Sequence, residues 1–193
     1  GRRLTMNFTR LPVTGAWRVD VELREDSRGS FTRAFCEHEF RDHGLHAHIA
    51  QASTSYSRRA GTLRGLHYQL PPAAEVKMVR VLRGVIWDVV LDLRADSPTY
   101  LKWHAEELSA ANRSMMYVPQ GVAHGFISLV DDVEMLYLMT HRHDPPSERG
   151  VRWDDPAVGI AWPTRPVSMS VRDETWPDLD DGFHGLSLLR GLG

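Results

Sequence analysis

Over short stretches of this chain, apolar residues recur at every second position, a period that reads as β-strand. Met78-Val79-Arg80-Val81-Leu82 and Val85-Ile86-Trp87-Asp88-Val89-Val90-Leu91-Asp92-Leu93 flank the turn Arg83-Gly84. The same reading predicts strands over 99–108, 115–118, 124–129 and 134–139, parted by clusters of Gly, Pro, Asn and Asp. Many short strands at this spacing predict a mostly β sandwich or barrel, in which closure or facing sheets protect the strand edges. Helix signals are few. A short helix is predicted over 37–42, ending at Gly44, where a positive φ is easily adopted. A second begins at Ser170-Val171-Arg172-Asp173, a capping-box spacing with an acidic residue in the last place, and Pro177 ends it. No linker divides the chain, so one domain over 1–193 is expected. The Pro- and Trp-rich segment from Trp153 onward is expected to wrap the barrel, with Asp178 to Asp181 solvated.

Composition narrows the classes of function. Across 193 residues, 23 Lys+Arg face 25 Asp+Glu, a formal net charge of −2, which argues against a nucleic-acid partner. Hydrophobic residues at 42% and charged residues at 25% are a globular mix. The longest apolar runs are too short to cross a bilayer, so no membrane partner is expected. No apolar stretch follows the charges at Arg2 and Arg3, so no signal peptide is expected. A single cysteine, Cys36, has no intramolecular partner and fits a reducing cytoplasm. Lys77 and Lys102 are the only lysines in a chain that otherwise uses arginine.

Several clusters could carry chemistry, and each has an ordinary structural reading. Gly61-Thr62-Leu63-Arg64-Gly65-Leu66-His67-Tyr68-Gln69 sets an Arg and a His on one extended segment, where a lone His reads as hydrogen-bonded scaffold. Pro119-Gln120-Gly121-Val122-Ala123-His124-Gly125-Phe126 has the P-x-G-x-x-H pattern of the second cupin motif, a turn leading into a strand with an inward His. Metal-binding cupins add a His-x-His and a later Glu. Here the first motif reads His67-Tyr68-Gln69, so a converging ligand set cannot be assembled and no metal is assigned. His46-Ala47-His48 is an isolated pair, and His43, His141 and His143 read as surface or loop residues. Tyr137 reads as a cross-strand aromatic with its hydroxyl at the rim. Ser147 to Pro156 reads as a charged turn, and Asp173 as the helix cap.

In order along the chain stand GTLRGLHYQ, KMVRVLRGVIWDVVLDLR, SPTY, ELSAANR, YVPQGVAHGF, MLY and SERGVRWDDPAVGIAWP. Together these segments resemble the dTDP-4-dehydrorhamnose 3,5-epimerase family over about Gly29 to Asp173. The resemblance implies a cupin jelly-roll barrel with a few short helices, a homodimer, no metal and no cofactor. It also implies a nucleotide-diphosphate sugar as substrate, a 4-keto-6-deoxyhexose. Inverting a carbon beside a ketone needs a base on one face, an acid on the other, and a donor or cation at the enolate oxygen. That chemistry needs no redox cofactor, in keeping with the absence of a G-x-G-x-x-G fingerprint.

By the same resemblance, His67 is the base, Asp173 the carboxylate on its other ring nitrogen, Tyr137 the acid, and Lys77 the cation at the enolate oxygen. Arg28 and Arg64 match diphosphate-binding positions, where a planar fork suits bidentate contact. Gln51, His124 and Glu148 match further pocket positions. Phe31 and Arg33, in the segment RGSFTRAF, match a base-contacting stretch that often reaches across a dimer. The chain also departs from the family. Arg33 stands where thymidine-using members commonly have Glu, and Arg142 and His143 replace a pair of tyrosines, one of which packs the nucleotide. Leu138 replaces a usual lysine and Ser53 a usual asparagine. A complete catalytic set beside an altered recognition set implies an active epimerase with a changed substrate. The rival readings are a C3-only or C5-only epimerase, a 3,4-ketoisomerase, a non-catalytic sugar-nucleotide-binding cupin, and a metal-dependent oxygenase.

Overall fold

The computed structural model describes residues 4–192, so the charges at Arg2 and Arg3 lie outside it. Its strands are β1 (Met6–Arg10), β2 (Trp17–Val21), β3 (Leu23–Asp26), β4 (Gly29–Thr32), β5 (Gln51–Ser57), β6 (Leu63–Gln69) and β7 (Lys77–Arg83). They continue as β8 (Val85–Asp92), β9 (Trp103–Ser109), β10 (Met115–Val118), β11 (Val122–Ser128), β12 (Val133–Met139) and β13 (Glu148–Gly150). Three short α-helices, α1 (Glu37–Asp42), α2 (Val171–Glu174) and α3 (Asp181–His184), and two 3-10 turns at Pro145–Ser147 and Leu186–Leu189 complete the list. One sheet has the order β1-β2-β10-β7-β12-β5 and the other β13-β6-β11-β8-β9. Every pairing within them is antiparallel, and the two sheets form a jelly roll.

Strand alternation builds the core between the sheets. Val79, Val81, Met116, Val118 and Met135 point inward from the first sheet, and Ile86, Val90, Leu108, Val122 and Phe126 from the second. The same inward rows turn polar toward one end. Lys77 lies two residues before Val79, Tyr137 two after Met135, and His124 midway between Val122 and Phe126. An apolar plug thus becomes a polar pocket along the same strands.

The alternating runs predicted at 78–82 and 134–139 fall within β7 and β12, 115–118 is β10, and 85–93 is β8 save for Leu93, one residue beyond its end. The run at 99–108 starts late, at Trp103, because Ser97 to Lys102 folds into consecutive turns with Leu101 at φ 58°. The helix over 37–42 is present, with Gly44 at φ 71° beyond it. At α2 the Ser170 hydroxyl accepts from the Asp173 backbone N–H, as the cap predicts. Beyond Trp153 the chain wraps the second sheet: Trp162 packs on Trp87, and Leu186 and Leu189 join its outer cluster. The acidic stretch is exposed, as expected, and also makes local contacts: Asp178 pairs with Arg152 at 2.7 Å and Asp180 caps α3. Among the described residues no helix is long and apolar enough to cross a membrane.

Candidate active site

A cavity of about 560 Å³ opens at the polar end of the barrel, a size suited to a small ligand. Its walls come from both sheets and from the wrapping segment. His67 and His124 are cross-strand partners on β6 and β11. Tyr137 and Lys77 come from β12 and β7 of the opposite sheet, and Asp173 and Arg172 from α2.

His67 Nε2 lies 2.6 Å from Asp173 Oδ1. Asp173 is buried, which raises its pKa, but the His67 bond and charge, with the Gly65 N–H and Trp176 indole N–H, outweigh burial and hold it below the usual carboxylate range. An ionised carboxylate only accepts, so Nε2 of neutral His67 carries the proton. Nδ1 then presents its lone pair, and no hydrogen bond engages it among the described residues. Trp176 fixes this dyad: its indole donates to Asp173 Oδ1 at 3.3 Å and sits edge-on to the His67 ring. Gly150 makes room for it, since a Cβ there would lie 2.1 Å from Trp176 Cε2.

Across the cavity, burial pushes the Tyr137 phenol up to about 12, with the Asp88 charge adding to the rise and the Ser55 hydrogen bond opposing it. Its hydroxyl lies 3.1 Å from Ser55 Oγ. The Lys77 side chain is 13% exposed, and its Nζ donates to the His67 carbonyl at 3.0 Å. His124 Nε2 meets Asp88 Oδ1 at 2.7 Å in a buried pair, where burial raises the Asp88 pKa against the pull of His124. Each imidazole therefore faces its own carboxylate. Among the described residues no group of three or more His, Cys, Asp or Glu side chains is placed to hold a metal ion.

The mouth is cationic. Arg64 lines it while bonding Ser57 Oγ and the Tyr56 carbonyl, and Glu148 bridges His143 at 3.0 Å and Arg172 at 2.8 Å. Burial raises the Glu148 pKa, but His143 and Arg172 hold it below its ordinary value. Gln51 and Ser53 stand outside the lining, bonded to each other on the inward row of β5 that continues to Ser55. Arg28, Phe31 and Arg33 are not in this pocket either. Arg28 and Phe31 belong to the hairpin β3–β4, Arg28 paired with Asp26 and Phe31 68% exposed. Arg33 is spent internally, on Glu39 at 2.5 Å and the Leu4 carbonyl.

Sequence reasoning passed over Ser55, Glu75, Asp88, Arg172 and Trp176. Asp88 had a signal: it shares the inward row of Ile86 and Val90, where an acid is out of place without a partner. Arg172 adjoins a residue already singled out.

A family model described as dTDP-4-dehydrorhamnose 3,5-epimerase matches residues 10–181. A Sinorhizobium fredii dTDP-4-dehydrorhamnose 3,5-epimerase is 43% identical over 80% of this chain and 80% of its own. The Mycobacterium tuberculosis rmlC epimerase superposes with a TM-score of 0.90 at 35% identity, covering 96% of this chain and 94% of that one. ChmJ, a 3'-monoepimerase from Streptomyces bikiniensis solved with dTDP-quinovose, superposes at 0.83 with 35% identity, covering 93% and 91%.

Proposed function

The chain belongs to the dTDP-4-dehydrorhamnose 3,5-epimerase family, and from that premise we propose how its own residues carry the reaction. It is a carbohydrate epimerase, an isomerase of deoxysugar biosynthesis. The proposed substrate is a dTDP-linked 4-keto-6-deoxyhexose, inverted at C3, C5 or both. His67 Nδ1 removes the proton beside the ketone while Nε2–H donates to Asp173, which stabilises the imidazolium that forms. Lys77 meets the charge gathering on the enolate oxygen. Tyr137 returns a proton from the opposite sheet, and its raised pKa keeps that proton in place at neutral pH. Arg64 and Arg172 receive the diphosphate, and His124, Gln51, Ser53, His143 and Glu148 shape the remaining pocket.

The observation that carries this reading is the His67–Asp173 pair on one wall with the Tyr137 phenol on the other. Acid and base on opposite walls are what inversion requires. Proton NMR of dTDP-4-keto-6-deoxyglucose incubated with the protein in D2O tests it. Loss of both the C3 and C5 signals makes it a 3,5-epimerase, and loss of one names a single-site epimerase. No exchange, with other nucleotide sugars also inert, overturns the reading.

We also propose that the working unit is a cytoplasmic homodimer. A two-stranded ribbon is marginal on its own, yet β3–β4 extends from the barrel with Phe31 exposed and Arg28 away from its own pocket. A second copy gives both residues a role, with the hairpin reaching the neighbouring pocket. The lone thiol of Cys36 suits a reducing compartment.

A further inference from the structure

Glu75 precedes β7, two residues before Lys77, and its side chain is 4% exposed. Its Oε1 lies 3.2 Å from Lys77 Nζ. Its Oε2 is buried without a hydrogen-bond partner among the described residues. A carboxylate so placed is costly unless a cation stands against it. The Lys77 ammonium is that cation. The segment carrying Glu75 is itself pinned: Gln120 donates to the Ala74 carbonyl at 2.8 Å, and the Val76 N–H donates to the Thr140 hydroxyl at 2.9 Å.

We propose that Glu75 is a positioning residue for the epimerisation, fixing Lys77 so that its remaining N–H faces the substrate's enolate oxygen. The proposal rests on the role given above to Lys77. An ammonium has three donors on a flexible four-carbon stem. One is donated to the His67 carbonyl at 3.0 Å, and the Glu75 carboxylate pairs with the ammonium at 3.2 Å, so the bond and the charge together fix where the N–H left for the substrate points. Glu75 thereby couples the cation to the carbonyl of the residue proposed as base. The enolate oxygen and the abstracted proton are then addressed from one rigid corner of the pocket.

A mutant cycle read by solvent exchange of the substrate protons and by steady-state kinetics, with thermal midpoints recorded in parallel, tests this. Glu75→Ala is expected to lower kcat by roughly 10- to 100-fold with KM within about threefold, the scale of a misplaced catalytic group. Glu75→Gln keeps an acceptor oxygen and is expected to stay within about threefold of the parent. In a Lys77→Ala background, Glu75→Ala is expected to cost less than about twofold more, because the group it orients is already gone. An unchanged kcat in Glu75→Ala overturns the proposal. So does an equal, independent loss in both backgrounds, even when Lys77→Ala alone is impaired. Wild-type exchange by Lys77→Ala overturns the reading of Lys77 itself, and the positioning role with it.

Discussion

Nε2 of His67 and Oδ1 of Asp173 meet at 2.6 Å although 106 residues separate them in the chain. The two functions of Asp173 use different atoms. Its backbone N–H caps α2 through Ser170, while its carboxylate orients His67. Asp173→Asn should therefore leave the helix and the thermal midpoint nearly intact while lowering kcat by roughly 10²- to 10⁴-fold, since an amide admits the wrong imidazole tautomer. His67→Ala should abolish exchange at the carbon it serves while dTDP binding by calorimetry survives. Full activity in either variant removes the dyad from the mechanism.

Tyr137 gives the pH dependence. Its phenol rises from 10.0 to about 12 in the fold, so the protonated form is the one the fold favours. What that proton contributes to stability is present below pH 10.0 and lost as pH climbs toward about 12. Phenolate absorbance of wild type minus Tyr137→Phe should show one tyrosine titrating well above the ordinary value. The same variant should slow proton return by roughly 10²- to 10⁴-fold, more than it slows abstraction. Equal effects on both steps point to another acid.

Trp176 tests whether the dyad depends on its packing. Gly150→Ala would drive a Cβ into the indole, which must then move off Asp173. The expected cost is ~1–3 kcal/mol of stability from overpacking, together with a lower kcat. Trp176→Phe keeps most of the apolar volume and removes the N–H donor. A kcat loss in Gly150→Ala much larger than in Trp176→Phe assigns the effect to displacement, and equal losses assign it to the hydrogen bond. Wild-type kcat in both shows that the dyad stands without the indole.

How legible the molecule is depends on what each strand faces. β7, β8, β10 and β12 stand out because their inward rows are apolar, and α1 because Gly44 ends it. β5 escapes the same reading. Its inward row is Gln51, Ser53, Ser55 and Ser57, a polar row that meets the pocket at Ser55, so no apolar period marks it. Within the site, His67 and Tyr137 are visible as motif residues. Asp173 looks locally like a cap, and only a contact across the fold gives its carboxylate a second function. Glu75 and Asp88 carry no motif, and each is explained only by the side chain the fold sets against it.

Arg33 is where the fold changes the expected experiment. On sequence grounds alone, Arg33→Glu would move base preference toward thymidine. In the structure Arg33 holds Glu39, whose other oxygen accepts the Met6 N–H, so the exchange would set two carboxylates together at the root of α1. The single variant should lower the thermal midpoint, and Arg33→Glu with Glu39→Arg should recover it. If the single variant keeps the parent midpoint and changes only base preference, Arg33 acts on the nucleotide rather than on the fold.

The hairpin gives the test of assembly. His67→Ala should be inactive through its pocket, and Arg28→Ala with Phe31→Ala deeply impaired through its hairpin. Co-expressed and purified as mixed dimers, the two chains distribute their lesions unevenly if the hairpin crosses. One site then carries every lesion and the other carries none. One of the two sites in each mixed dimer is intact, so about half of wild-type activity should return. If each hairpin serves its own pocket, every site in the mixed dimer stays damaged and activity does not return. Because the two inactive parents share no lesion, recovery requires a pocket from one chain and a hairpin from the other.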